Sequence, residues 1–544
     1  MKYRCSTYIH LPVTVFLGEA FFQLCKYVGG HPMKFKFSPF MASLCLSLLL
    51  SFTSYAQIGD GPVIREHLVQ EHIERGQITF DDLMYYGEKL FVAKFNTYDG
   101  QSRPGTTGTG AEREVGSAPR FIRTSAPDSN SCAGCHNDPV VGAAGDIVAN
   151  VFVLAQALDP VTNSVSGEFS NNRNTLGMHG AGPIEMLARE MTAELQALRT
   201  QAVTEATTNA QAVIKPLVAK GVSFGSLSVS AAGDVNTSGI VGVDGDLIIK
   251  PFHQKGVVIS LRQFSNNAMN HHHGIQTVER FGEALTGSKD FDQDGVENEL
   301  SVGDVTAVTL WQAGLGTPGQ VIPNDLSIAK AIIKGERIFT GIGCGDCHVP
   351  SMVLDDPSFS EPNPYNPPGN LGVNEVLNTY DFDMTQKGIG PRPEQRYDGR
   401  AVIRAFTDLK RHNLCDEDYN HYCNETLEQD GVATELFLTR KLWDVGNTAP
   451  YGHVGDVTTL TEAISHHGGE ARGQRDAFFG IAEIERAYVI EFLKSLQILP
   501  DDADGLVIDE AGKSVSKTAL VRKFSGITRD DVNSVNLRRE SSEK

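Results

Sequence analysis

The sequence predicts a mainly α protein: two copies of one helical unit packed together, with a small β excursion in the first. Three observations predict it. The pentad Gly87-Glu88-Lys89-Leu90-Phe91 returns as Gly335-Glu336-Arg337-Ile338-Phe339, each copy upstream of a Cys-x-x-Cys-His motif, so one supersecondary unit occurs twice. Residues 62–96 read as helical, and a second apolar-periodic run opens at Pro183, a residue type suited to a helix start. Only residues 221–252 alternate apolar and small polar residues around Gly, Asp and Asn turns, the pattern of two or three short strands.

The motifs are Ser131-Cys132-Ala133-Gly134-Cys135-His136 and Gly343-Cys344-Gly345-Asp346-Cys347-His348. Cys-x-x-Cys-His is the pattern for covalent attachment of a c-type haem. The two thiols, Cys132 with Cys135 and Cys344 with Cys347, add to the haem vinyl groups. The adjacent His136 or His348 then binds iron from the proximal side. A zinc site or a redox disulfide is the rival reading. It is weaker, because His follows each pair at once and the pairs are far apart, unlike a compact zinc ribbon. The two units thus read as two cytochrome-c-like haem domains holding two covalently bound haem c groups.

Bulk properties agree with a multidomain globular chain: 544 residues, 40% hydrophobic and 21% charged. Net charge is −20, and because residues 1–56 carry five basic and one acidic residue, the remainder carries −24. Such a surface repels nucleic acid and steers basic electron-carrier proteins toward it, although acidity can also serve solubility alone. Of nine cysteines, four belong to the motifs and Cys5, Cys25 and Cys45 to the N-terminal segment. Cys415 and Cys423 remain, and in an oxidising compartment they predict a small-loop disulfide.

In order, residues 1–56 read as an N-terminal extension and signal peptide. Lys34 and Lys36 precede an apolar run too short for a confident membrane span, and Ser54-Tyr55-Ala56 offers a cleavage site. Export to the periplasm follows, with no integral membrane span. Residues 57–320 form the first haem domain, which includes the Gly/Ser/Pro-rich loop 97–131. Beyond Pro183 a helix is expected to run through residues 192–219. Asp290-Phe291-Asp292-Gln293-Asp294-Gly295 imitates the start of a calcium loop, but its twelfth position is Ser301 where an acid is usual. A solvated turn is the plainer reading, and calcium stays open as a cofactor. Residues 321–500 form the second haem domain, and 501–544 a polar peripheral tail.

The stretch Leu442-Trp443-Asp444-Val445-Gly446-Asn447-Thr448-Ala449-Pro450-Tyr451-Gly452-His453 continues through Thr459-Leu460-Thr461-Glu462-Ala463-Ile464 to His466-His467-Gly468-Gly469-Glu470. With Arg173-Asn174-Thr175 and Asp408-Leu409-Lys410-Arg411-His412-Asn413, it resembles the di-haem oxidoreductase family of peroxidase-like and thiol-oxidoreductase-like proteins. That family is related to bacterial di-haem cytochrome c peroxidases and MauG. The resemblance implies His467 as sixth ligand of the second haem, with His466 its competitor; imidazole in place of the usual methionine lowers a haem's potential. It implies Glu185, in Pro183-Ile184-Glu185-Met186, as acid/base over the first haem, with Glu190 as fallback. His272 is placed over that haem or on its iron, within a cluster of Met269, His271, His272 and His273. His412 and His453 are implied near haem edges. Trp311 or Trp443 is either a relay between the haems or, more plainly, a buried anchor. Asn413 and Val454 depart from the family pattern, where Asp is usual at both positions.

The activity implied is reduction of hydrogen peroxide, with electrons from a small donor such as a c-type cytochrome entering at the C-terminal haem. Two rivals belong to other classes: a pure electron-transfer cytochrome with both irons six-coordinate, and MauG-like oxidation of a protein or thiol.

Overall fold

The computed structural model describes residues 59–101, 129–146, 148–151 and 171–525. The signal-peptide segment, most of loop 97–131, residues 526–544 and the cysteines at 5, 25 and 45 lie outside the described residues. Seven helices set the frame: α1 (Phe80–Val92), α2 (Ala181–Asn209), α3 (Leu261–Ala268), α4 (Val302–Ala313), α5 (Leu326–Gly341), α6 (Glu483–Ser495) and α7 (Lys517–Ser525).

The pentad repeat in the sequence is a repeat in packing. Helix α1 starts on Thr79, whose hydroxyl accepts from the Asp82 N–H, and Asp81 and Asp82 face the positive helix end. Helix α5 starts on Asp325, which accepts from the N–H groups of Ser327 and Ile328. Each packs chiefly on one later helix, α1 on α4 and α5 on α6. A glycine sits at each contact. A Cβ on Gly87 would strike the Ala307 carbonyl of α4, and one on Gly335 would strike the Tyr488 carbonyl of α6. Only glycine allows two backbones that close. Four residues on, Phe91 packs on Trp311 of α4 with ring centres 4.5 Å apart, and Phe339 on Phe492 of α6 at 5.4 Å. Both pentad phenylalanines are buried, a contribution of roughly 1.5–3 kcal/mol each.

Helix α2 begins at Ala181 behind the left-handed Gly180 and ends at Asn209 on Ala210 (φ 50°). The expected continuation to residue 219 is a strand instead. Val213–Ala219 pairs antiparallel with Val222–Val229, and Val235–Asn236 adds a third strand. Val213, Ile214 and Val218 favour the extended form, and Pro216 is excluded from a helix interior. Strands are also not confined to the first half. Short ones such as Met352–Leu354, Ser358–Glu361 and Arg411–Asn413 lie between α5 and α6, and six sheets of two or three strands occur among the described residues. Helix outweighs strand, 36% to 15%, so the fold is helix-rich with small sheets rather than mainly α. Strands of two to four residues are too short to carry an alternation signal.

The described part of the polar tail is docked. Val507–Ile508 pairs parallel with Gln320–Val321, and α7 places Leu520, Val521 and Phe524 against Ile332 and Ile333 of α5. The predicted disulfide joins Cys415 and Cys423. No described helix is long and apolar enough to cross a membrane. The core divides around the two helix pairs, and adjacent residues mark the passage: Trp443 is buried in the first cluster while Leu442 packs on the second.

Candidate haem centres

Each motif opens as one short 3-10 turn, Cys132–Gly134 and Cys344–Asp346. In each, the histidine N–H bonds back to the first cysteine carbonyl, at 2.9 Å for His136 and 3.0 Å for His348. At the first motif both cysteines and the histidine line one cleft. None of the four motif cysteines is in a disulfide, and burial pushes Cys132 and Cys344 up to about 12, so their thiols stay protonated. Burial likewise lowers His136 and His348 to about 4, leaving each imidazole neutral with a lone pair to give. Each ring is aimed by its Nδ1. His136 Nδ1 meets the Ala143 carbonyl at 3.3 Å and His348 Nδ1 the Phe406 carbonyl at 3.1 Å. That leaves Nε2 as the ligand atom. The pentad phenylalanines complete the likeness: Phe91 lies 6.1 Å from the His136 ring, Phe339 6.3 Å from the His348 ring.

Across the second centre stands His467. Its Nδ1 lies 2.9 Å from the Ala463 carbonyl, so its Nε2 too is the outward atom. The His348 and His467 ring centres are 6.4 Å apart. Two metal–imidazole bonds of about 2 Å, plus about 1.2 Å from each nitrogen to its ring centre, span about 6.4 Å. The pair therefore fits an iron held by two imidazoles. His466 is turned away and stacks on His421 at 4.0 Å.

The first centre faces a cleft lined by Cys132, Cys135, His136, His253, Met269 and His272, with Phe91 and Phe264 among its apolar walls. Arg173 Nε, Asn174 Oδ1, Gln254 Nε2 and Gln312 Oε1 are buried without hydrogen-bond partners among the described residues, and all four residues line this cleft. Buried orphans of this kind call for a polar group in the space they face. Two are donors, Arg173 Nε and Gln254 Nε2, which suit the carboxylates of a haem. An apolar cleft with two thiols, a neutral histidine and carboxylate donors fits the group.

The histidine cluster divides. Met269–His273 forms one turn of π-helix closed by left-handed Gly274. His273 is buried behind the attachment loop, with Nδ1 2.7 Å from the Ser129 carbonyl and Nε2 3.3 Å from Cys132 Sγ. His272 reaches the cleft, as does Met269.

Glu185 does not reach it. Its carboxylate is fully buried and accepts from Arg189, from Asn363 Nδ2 at 2.8 Å and from the Leu261 N–H at 2.8 Å. Glu185 thus holds the start of α3, and the acid/base role expected of it is not supported by its surroundings. Glu190 pairs with Lys220 and accepts from the N–H groups of Asp355 and Asp356, so the fallback is also committed elsewhere. In sequence, Pro183-Ile184-Glu185-Met186 looks alike whether the carboxylate caps a neighbouring helix or faces a cofactor.

His412 bridges Asp408 and Glu470, 2.8 Å from each, beside Cys347. His453 is buried against Tyr422 and Phe437, its Nε2 2.6 Å from Asn424 Oδ1. Trp311 and Trp443 are buried, Trp311 on Phe91 and Trp443 where only a glycine, Gly180, fits beneath its ring. The Asp290, Asp292 and Asp294 carboxylates converge within 4.8 Å. Ser301 at the twelfth loop position is spent on capping α4, accepting from the Asp304 N–H. Sequence reading passed over His253, Gln254 and Gln312, which sit in no recognisable motif.

Residues 384–496 match the family model "Di-haem oxidoreductase, putative peroxidase". No curated protein matches the chain. Among solved structures, Kuenenia stuttgartiensis hydrazine synthase aligns at 13% identity over 86% of this chain and 100% of that one, with a TM-score of 0.31. A MauG-like protein associated with microbial copper homeostasis aligns at 15% identity over 54% of this chain and 81% of that one, with a TM-score of 0.24. Both overlays are too loose to carry an argument. Over that matched segment, which holds Asp408, Trp443 and His467, the chain is similar to the di-haem oxidoreductases.

Proposed function

We propose that this chain is an exported, periplasmic di-haem c-type oxidoreductase that reduces hydrogen peroxide, drawing electrons from a small donor such as a c-type cytochrome. One observation carries the reading: the two centres differ in what stands opposite the proximal histidine. His348 has His467 at imidazole–metal–imidazole spacing, which suits electron entry without substrate. His136 opens on the cleft that the first haem would fill, walled also by His253, Met269 and His272, side chains that suit the holding of a substrate. The haems, when bound, supply the electron storage and the peroxide reduction.

The chain's own residues hold and aim them. Cys132, Cys135, Cys344 and Cys347 anchor the cofactors, with His136, His348 and His467 as ligands. Arg173 and Gln254 offer donors to the carboxylates of the first. Phe91, Phe264, Met269 and Val308 keep its cleft apolar. His272 takes the place over the open face that Glu185 does not fill; if it ligates at rest, substrate must displace it. Export is supported by the N-terminal segment and by the Cys415–Cys423 disulfide. The two haem domains would span 57–320 and 321–500.

Steady-state turnover of peroxide with reduced cytochrome c is the test, run on the oxidised and on the half-reduced protein. Turnover in either state is expected; none in both would overturn the proposal.

A further inference from the structure

The first cleft holds a histidine that none of the roles above uses. His253 has φ 66°, a left-handed conformation uncommon outside glycine. Its ring lies edge-on to Phe264, centres 5.3 Å apart, and lines the cleft with His136 and His272. Its Nδ1 is 3.1 Å from Gln429 Nε2.

The polarity of that bond is set one step further out. Arg173 donates from its NH2 group to Gln429 Oε1 at 3.2 Å, and a guanidinium can only donate. Gln429 therefore gives its oxygen to Arg173 and its NH2 to His253. An amide NH2 also only donates, so His253 Nδ1 accepts, and in a neutral imidazole the proton then sits on Nε2. Arg173 cannot swing away, because Glu425 grips both guanidinium NH2 groups, one at 2.8 Å. Burial, then Arg173 and His272, hold the ring neutral, with its pKa lowered to about 3. No described residue takes a hydrogen bond from Nε2.

We infer that His253 presents an Nε2–H donor to the open face of the first centre, where it holds the far atom of a small diatomic or peroxidic ligand, with Gln429, Arg173 and Glu425 as the positioning residues that set its proton. An Nε2 that carries hydrogen cannot ligate iron, so the donor and ligand roles divide between His253 and His272. The inference rests on the open first centre proposed above.

Carbon monoxide on the reduced holoprotein and cyanide on the oxidised holoprotein test it. His253→Gly removes the ring and accepts the positive φ. Gln429→Glu keeps the shape but reverses the bond, drawing the proton to Nδ1 and stripping Nε2. Both variants are expected to move the CO stretching band upward and to weaken cyanide binding by roughly ten-fold, with haem content unchanged. A band and an affinity unmoved in both would overturn the inference. If the unsubstituted protein binds neither ligand, the open-centre reading itself fails and takes this inference with it.

Discussion

At Cys132–His136 and at Cys344–His348 the same contacts recur: a 3-10 turn, a histidine Nδ1 held by a backbone carbonyl, and a pentad phenylalanine about 6 Å from the ring. The opposite faces share nothing. One is His467, delivered by the loop after residues Leu460–Ser465. The other is a cleft walled by residues from 173 to 312. The Cys-x-x-Cys-His turn and the aim of its histidine are local and copied; the opposite face, where the proposed electron-entry and substrate roles would part, is assembled from distant chain. A duplicated unit can thus take two roles without changing its motif.

The largest expected effect comes from making the centres alike. His467→Ala should remove the bis-imidazole low-spin signal of the second haem by electron paramagnetic resonance and leave the first haem's signal in place. His467→Met should raise the second haem's reduction potential instead. Loss of signal at the wrong haem would break the assignment.

Next is the disulfide. The loop it closes packs on the His467 segment: Gly469 N–H donates to Asp416 at 2.9 Å, and His466 stacks on His421. Cys415→Ser with Cys423→Ser should cost about 2–3 kcal/mol by chain entropy, read by thermal melting, and should perturb the second haem's spectrum before the first's.

The shared part of the plan predicts a shared cost. Gly87→Ala and Gly335→Ala each force a Cβ into a facing backbone carbonyl, so each should lose about 1–3 kcal/mol in denaturant titration. A loss at only one would show that the pentads are not equivalent.

The smallest effect is a pH slope. Burial alone would lower His412, but hydrogen bonds to Asp408, then Cys347 and then Glu470 raise it from 6.5 to about 11. A raised histidine stabilises fully below pH 6.5, and that contribution is lost as pH climbs toward about 11. Asp408→Asn should flatten the slope of stability over that range, with the change felt at the second centre, where Glu470 lies three residues from His467.

What could be read from the chain alone followed its range. Two Cys-x-x-Cys-His motifs state cofactor chemistry within six residues each, and the pentads state one helix face. The Cys415–Cys423 pairing needed only proximity in sequence. The helix expected over residues 192–219 ends at Asn209, because a polar helix end and a β-branched strand start are separated by one residue's conformation, that of Ala210.

By itself, then, the sequence determined that two Cys-x-x-Cys-His motifs each follow a copy of one pentad, and so where the proposed haems would attach and which histidine would serve each. Only the tertiary structure decided what Glu185 is for, since a carboxylate's role depends on which N–H groups reach it across the fold. It also decided that His467, not His466, faces His348, and that His253 enters the first cleft with Gln429 and Arg173 behind it. Those partners lie up to 256 residues apart, and a hydrogen bond across that separation leaves no local pattern to read.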